Sequence, residues 1–149
     1  MIKSEWIKTD KGFFVGDPCY VFEDMWSNIA SQYFKADVKN GYDKSHTITV
    51  NGGNIGMVST MYGDGGYLGT DGGDYSVDSG TLGIVPIEVA ELDVYENSYL
   101  GRVIEYKGEA RVLYEEGLVT IEFKDNNLED IDIQTGAVGD LEYFFDNWL

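Results

Sequence analysis

The sequence has very few of the side chains that nucleophilic and zinc sites require. Its 149 residues include one cysteine, one histidine and only two prolines. One cysteine cannot form an internal disulfide, and one cysteine with one histidine cannot complete a tetrahedral zinc site. A catalytic Cys19–His46 pair would need an electropositive setting, but Asp17 lies two residues from Cys19 and should raise the pKa of the thiol. We therefore expect no zinc site and no cofactor, assign no residue to a metal, and expect Cys19 to pack as a small apolar residue.

Basic residues are also scarce. The sequence has ten Lys and Arg and 27 Asp and Glu, which gives a formal net charge of −17. This charge would repel nucleic acids and anionic membranes, and the scattered bases form no basic stripe, so direct binding to either is not expected. No apolar run approaches the ~20 residues of a membrane helix. Residues 1–83 carry 11 acids and 6 bases (net −5), whereas residues 84–149 carry 16 acids and 4 bases (net −12). The acidic half is either a solvated face or a surface that attracts a basic partner, including one that mimics DNA.

The residues that are abundant favour β structure. Alternating apolar and polar residues predict antiparallel strands joined by short turns, most clearly at 118–124 and 129–134, and the apolar run at 19–22 predicts another strand. Apolar residues three and four apart predict one helix at 23–34 and a weaker C-terminal helix at 139–149. The predicted fold is α+β and dominated by antiparallel β structure, either a sandwich or a partly open barrel.

The chain is predicted to form a single domain over residues 1–149 that has two parts. Residues 1–92 would form the core, and residues 93–149 an acidic antiparallel meander with the C-terminal helix packed on it. Residues 62–74 hold six of the nineteen glycines. A run this rich in glycine loses much backbone entropy on folding, and long ordered loops are uncommon unless they are functional. We therefore interpret residues 62–74 as a functional loop.

Tyrosines and aspartates in and beside this loop suggest a small-ligand pocket. Aromatic rings stack on bases, carboxylates accept hydrogen bonds from sugar hydroxyls, and glycines let main-chain amides approach a phosphate. No Arg or Lys lies near these residues in the sequence, so a phosphorylated ligand would need a basic side chain from elsewhere in the chain. The candidate ligand-binding residues are Asp17, Tyr20, Tyr62, Asp64, Tyr67, Tyr75 and Asp78.

Two other chemistries are open to the same aspartates. Asp64, Asp71, Asp74 and Asp78 could supply oxygen ligands to calcium, but their spacing matches no EF-hand or repeat pattern, and Asp and Gly are ordinary turn residues. A carboxylate-based hydrolase would use Asp17, Asp64 or Asp78. It would require two of these carboxylates to meet in space, which spacing alone does not establish.

The outer face of the predicted meander suggests a protein-binding surface. Its acidic residues alternate with apolar ones and so project to one side of the sheet, where nearby tyrosines could anchor an interface. The candidate protein-binding residues are Glu105, Tyr106, Glu109, Tyr114, Glu122, Asp130 and Asp132.

Three sequence blocks together resemble a group of short proteins from tailed phages and prophages. They are GDPCYV at 16–21, YGDG at 62–65, and VDSG at 77–80 followed by LGIVP at 82–86. The resemblance covers about residues 12–92 and implies an accessory phage protein that acts in the cytoplasm of the host bacterium. Such proteins are often inhibitors of host or defence machinery, or sponges for signalling nucleotides.

The leading functional hypothesis is a non-enzymatic protein that captures and inhibits a host or anti-phage-defence protein with a basic surface. The first alternative is a sponge that binds a small signalling nucleotide at the glycine-rich loop. The second is a carboxylate-based hydrolase.

Overall fold

In the part of the chain that the structure describes, two β-sheets face each other, a separate two-stranded hairpin packs with them, and an α-helix lies on the outer side of the second sheet. The structure is a computed structural model that describes residues 1–40 and 46–136, without the side chains of 35–40. Its helical elements are α1 (Trp26–Asn40) and two short 3-10 helices, Pro18–Val21 and Ser98–Leu100. Its strands are β1 (Ile2–Lys3), β2 (Ile7–Thr9), β3 (Phe13–Gly16), β4 (Thr47–Val50), β5 (Gly53–Ser59), β6 (Gly65–Leu68), β7 (Asp74–Val77), β8 (Thr81–Pro86), β9 (Arg102–Ile104), β10 (Gly108–Glu115), β11 (Leu118–Phe123) and β12 (Ile131–Gln134).

All pairings between these strands are antiparallel. The first sheet has the order β1–β10–β11–β12, with β2 also paired to β10; the second has the order β4–β5–β8–β3–β9; β6 and β7 form a separate hairpin. The prediction of an α+β fold dominated by antiparallel strands is therefore confirmed, and the architecture is a sandwich. Strands from both halves of the chain share both sheets, because β1 and β2 join the meander while β9 joins the second sheet.

Strand β3 shows how the layers are held together, because its side chains alternate between two cores. Phe13 and Val15 point into the core between the two sheets, and Phe14 points into the core between the second sheet and α1. All three are fully buried. A strand that is covered on both faces reads as a continuous apolar run, which is the pattern found here.

Helix α1 begins three residues later than predicted and extends six residues further, to Asn40. The predicted first turn is instead a single turn before the helix, closed by the N–H of Trp26, which donates to the carbonyl of Glu23 (3.2 Å). The backbone N–H groups of this turn are bound by a distant carboxylate. Glu91 accepts hydrogen bonds from the N–H groups of Glu23 (2.6 Å), Asp24 (3.2 Å) and Met25 (3.1 Å). A side chain so far away in sequence leaves no local signal for the start of the helix. The predicted C-terminal helix at 139–149 lies outside the described residues.

The apolar run at 19–22, predicted to be a strand, is part of the 3-10 helix Pro18–Val21. Asp17 caps this helix by accepting a hydrogen bond from the N–H of Cys19 (2.9 Å), and Pro18 occupies the first helical position. An aspartate followed by a proline is a typical helix start, and here that signal outweighs the β preference of the apolar residues.

The glycine-rich segment at 62–74 is not the loop that was predicted, because most of it forms the hairpin of β6 and β7. Tyr67 and Tyr75 face each other across this hairpin, and both rings are buried in the core between the sheets (4% and 0% exposed). The hairpin continues onto the first sheet, where the N–H of Thr70 donates to the carbonyl of Asp132 (2.9 Å). The two tyrosines thus anchor the glycine-rich segment to the core.

Within residues 1–40 and 46–136, no helix has the length and apolar character to cross a membrane.

Candidate functional site

A cleft of about 450 Å³ lies between β9, at the edge of the second sheet, and the β11–β12 connection of the first sheet. One wall comes from the turn between β6 and β7 together with β9, and the other from the connection between β11 and β12. We call it the acidic cleft, and it is lined by Thr70, Asp71, Arg102, Ile104, Phe123, Leu128, Glu129, Asp130 and Ile131. Its volume lies within the ~300–1,000 Å³ range of small-molecule pockets.

The floor of the acidic cleft is apolar and continuous with the core. Phe123 and Ile131 are buried members of the core between the sheets, and Ile104 and Leu128 pack against that core from its edge. A group that enters the cleft would therefore meet hydrocarbon at the bottom and charged side chains at the rim. This arrangement suits a ligand with an apolar stem and a polar end.

One wall of the cleft holds an ion pair supported by a buried tyrosine. Arg102 Nη1 lies 2.7 Å from Asp71 Oδ2, and the same oxygen accepts a hydrogen bond from the Tyr75 hydroxyl (2.6 Å). Asp71 is 8% exposed, whereas Arg102 is 47% exposed. Burial opposes ionisation of Asp71, but the hydrogen bonds from Tyr75 and Arg102 lower its pKa below the ordinary value. Burial, followed by the hydrogen bond to Asp71, raises the pKa of Tyr75, so the wall presents a carboxylate, a guanidinium and a neutral phenol.

The opposite wall presents two more carboxylates, Glu129 and Asp130, both on exposed residues. Burial, and then the negative charges of Glu122 and Asp132, raise the pKa of Asp130. Burial and the nearby negative charges thus disfavour the ionised form of Asp130. Among the lining residues three acids stand against one base, and that base is already bound to one of the acids.

Two of the predicted protein-binding acids already have cationic partners on the outer face of the first sheet. Glu109 Oε2 lies 3.0 Å from Lys124 Nζ, and Glu122 Oε1 lies 3.0 Å from Arg111 Nη2. Both bases also lie over the ring of Trp6, at 4.4 Å for Arg111 and 5.5 Å for Lys124. This cation–π cluster was missed, because Trp6 reaches the bases only through the pairing of β2 with β10.

The other predicted protein-binding residues have varied surroundings. Asp132 accepts a hydrogen bond from the hydroxyl of Thr120 (2.8 Å), and Glu105 is exposed beyond the end of β9. Tyr106 and Tyr114 are partly buried and pack against the core between the sheets. Of the predicted set, only Asp130 lines the acidic cleft.

Asp17, a predicted ligand-binding residue, is instead a buried structural carboxylate (0% exposed). Besides capping Cys19, it accepts hydrogen bonds from the N–H of Asp78 (2.8 Å), the N–H of Ser79 (2.7 Å) and the hydroxyl of Ser79 (2.7 Å). Its side chain therefore joins the GDPCYV block to the VDSG block. Because these four donors bind it and no water reaches it, Asp17 has no surface to offer a ligand.

The side chains around Asp17 hold Cys19 in its thiol form. Burial, and then the negative charge of Asp17, raise the pKa of Cys19, which agrees in direction with the expectation from the sequence. Burial, and then a hydrogen bond to Asp78, also raise the pKa of Tyr20. His46 has different neighbours, with Nδ1 lying 3.1 Å from the carbonyl oxygen of Met57.

The structure does not bring the predicted ligand-binding residues of the glycine-rich segment onto one surface. Tyr67 and Tyr75 are core residues, and their hydroxyls donate to Gly63 O (2.8 Å) and Asp71 Oδ2. Tyr62 and Asp64 are exposed at the start of the hairpin. The tyrosines were misread because spacing does not reveal which side of a hairpin faces the core.

The calcium alternative gains no support, because the part of the chain that the structure describes holds no group of three or more His, Cys, Asp or Glu side chains arranged around a metal position. Asp71, one of the four aspartates proposed for it, is committed to Arg102 and Tyr75.

Replacing Asp130 by asparagine is expected to raise the melting temperature at pH 7. A carboxyl whose pKa is raised by folding stabilises the folded state only when it is protonated, and that stabilisation is lost as the pH rises through the folded pKa. Asp130→Asn removes the partly buried charge and its repulsion at neutral pH, and its advantage should shrink as the pH falls below about 4, where the carboxyl becomes protonated in the unfolded state as well. Melting curves at pH 7 and pH 3.5 check this, with exposed Asp10→Asn as control. An unchanged or lower melting temperature at pH 7 would contradict it.

Comparison with family models, with curated proteins and with solved structures found no match to this chain.

Proposed function

We propose that this protein is a stoichiometric binder that captures a basic partner protein through the acidic end of the sandwich. The contact surface is formed by Glu129 and Asp130 at the rim of the acidic cleft, with Asp132 beside them on β12. The observation that carries the proposal is the excess of three carboxylates over one base around a concave, apolar-floored opening. Such a surface attracts basic partners over a distance and repels acidic ones.

Two further features support capture by this end rather than by the whole outer face of the first sheet. Glu109 and Glu122 are paired with Lys124 and Arg111, so the outer face is mixed in charge where the sequence suggested uniform acidity. At Asp130, burial and then the negative charges of Glu122 and Asp132 raise the pKa of the carboxyl. Groups that destabilise the folded state are typical of binding sites, because they are retained for function.

The resemblance to proteins of tailed phages supplies the setting for this proposal. The partner would be a host or anti-phage-defence protein in the bacterial cytoplasm, and the acidic end would occupy a basic surface that the partner uses for an anion such as DNA. A nucleotide sponge fits the cleft less well, because a phosphate would face Asp71, Glu129 and Asp130.

The test is capture of proteins from host lysate on immobilised protein, followed by quantitative mass spectrometry. The charge-reversal variant is Asp130→Lys with Asp132→Lys. Its matched control is Glu115→Lys with Glu116→Lys, which makes the same change in net charge at exposed residues of the β10–β11 turn. We expect a basic protein that is retained by the wild type and the control, that is released as salt rises, and that binds the Asp130/Asp132 variant at least about tenfold more weakly.

Two outcomes would contradict the proposal. Equal losses in both variants would show that net charge alone governs retention. A partner that resists high salt and is unaffected by Asp130→Lys with Asp132→Lys would show that another surface binds it.

A further inference from the structure

The acidic cleft has a shape and a charge distribution that the proposed capture surface does not require. A flat acidic face would be enough to attract a basic protein. Here the carboxylates stand at the rim of an opening whose floor belongs to the core, with Phe123 and Ile131 at the bottom. The opening is therefore suited to one protruding group of the partner.

We propose that the acidic cleft takes a single Lys or Arg side chain of the basic partner. This inference rests on the proposed function and names the part of the partner that is recognised. The aliphatic stem of the side chain would lie against Ile104 and Leu128, and its charged end would meet Glu129 and Asp130. Long basic side chains commonly bury their stems against apolar surface while the charged end stays near water.

The charges favour a cation over an anion at this position. Arg102 is the one base among the lining residues, and it is held by Asp71 at 2.7 Å. Glu129 and Asp130 on the facing wall are the acids left to bind an incoming cation. A guanidinium can pair with carboxylates through two parallel hydrogen bonds, which would favour Arg over Lys.

The Asp71–Arg102 pair would also limit what enters. Tyr75 and the N–H of Gly73 (3.1 Å) hold Asp71 in place, so the pair forms a fixed wall. An acidic side chain would be repelled by Glu129 and Asp130 on the other side. The cleft thus selects by charge and by the need for an apolar stem.

The test is a titration of ¹⁵N-labelled protein followed by NMR, with two cationic probes and one neutral probe. The probes are N-acetyl-arginine amide, a hexa-arginine peptide and N-acetyl-norleucine amide. We expect both cationic probes, but not the neutral one, to shift the resonances of residues 128–131 and the Arg102 side chain in a saturable manner.

The isosteric variant Glu129→Gln with Asp130→Asn should bind both cationic probes about tenfold or more weakly than the wild type does. Glu115→Gln with Glu116→Gln makes the same change in net charge and should leave them unaltered. Both variants keep the shape of the side chains, and dispersed spectra will show that they are folded.

The outcomes separate this inference from the proposed function. If the peptide binds but shifts other residues, the inference is wrong and capture of a basic partner stands. If only N-acetyl-arginine amide shifts the cleft, the cleft takes a free guanidinium compound and the inference that it takes a side chain of a protein is wrong. If neither probe binds, the inference is wrong, and the capture experiment alone decides the proposed function.

Discussion

Replacing Asp17 by asparagine is expected to destabilise the protein by about 3–5 kcal/mol, because a buried carboxylate that accepts four hydrogen bonds is lost. The amide that replaces it keeps one acceptor oxygen and turns an NH₂ group towards N–H donors. For a domain of this length the melting temperature should fall by roughly 10 °C. Thermal unfolding followed by circular dichroism measures the change.

The matched control is Asp64→Asn, which makes the same chemical change at an exposed aspartate. We expect its melting temperature to stay close to that of the wild type. Both aspartates were candidate ligand-binding residues in the sequence, so the pair of variants separates a structural carboxylate from a surface one. Similar melting temperatures for the two variants would show that Asp17 does not hold the GDPCYV and VDSG blocks together.

The second large effect is expected at Gly83, in the middle of β8. A Cβ atom added there would overlap the carbonyl oxygen of Gly56 and lie 2.9 Å from the Cα of Met57, both in the backbone of β5. Strand β8 has no room to move away, because it pairs with β5 on one side and with β3 on the other. We expect Gly83→Ala to destabilise the fold by about 3 kcal/mol or more.

Urea unfolding measures this effect as a lower midpoint. Gly66→Ala is the control, since its added Cβ would meet only Asp74 Oδ1, at an ordinary contact distance of 3.5 Å. That residue is exposed on β6, and we expect its midpoint to change little. Equal midpoints for the two variants would contradict the close approach of β8 and β5.

The strands of the second half could be predicted because their signals are local. Along β11 and β12 apolar and polar residues alternate, and a period of two specifies both the strand and its buried face. The sequence predicted that a helix forms but not where it begins and ends. Its start could not be predicted because the carboxylate that binds the turn before Trp26 comes from Glu91, which is distant in sequence. The glycine-rich segment was misread because composition says how freely a backbone can bend, whereas Tyr67 and Tyr75 fix it by packing in the core.

The candidate site was only partly foreseeable. Asp130 and the acidity of the second half were recognised from the sequence, but the cleft was not. Arg102 reaches Asp71 across 31 residues, and the cleft forms only because β9 of the second sheet and the β11–β12 connection of the first come together. Likewise, Glu109 and Glu122 looked available for a partner until the antiparallel register placed Lys124 and Arg111 beside them.

For this protein, the amino-acid order alone determined the class of the fold, the excess of negative charge and the acidic neighbour, Asp17, that raises the pKa of Cys19. These properties depend on composition and on neighbours within a few residues, so each can be read along the chain. The tertiary structure decided which carboxylate is buried, which acids are paired and where a concave surface forms. Those properties depend on contacts between residues far apart in sequence, because strand register and sheet packing choose the partner of each side chain.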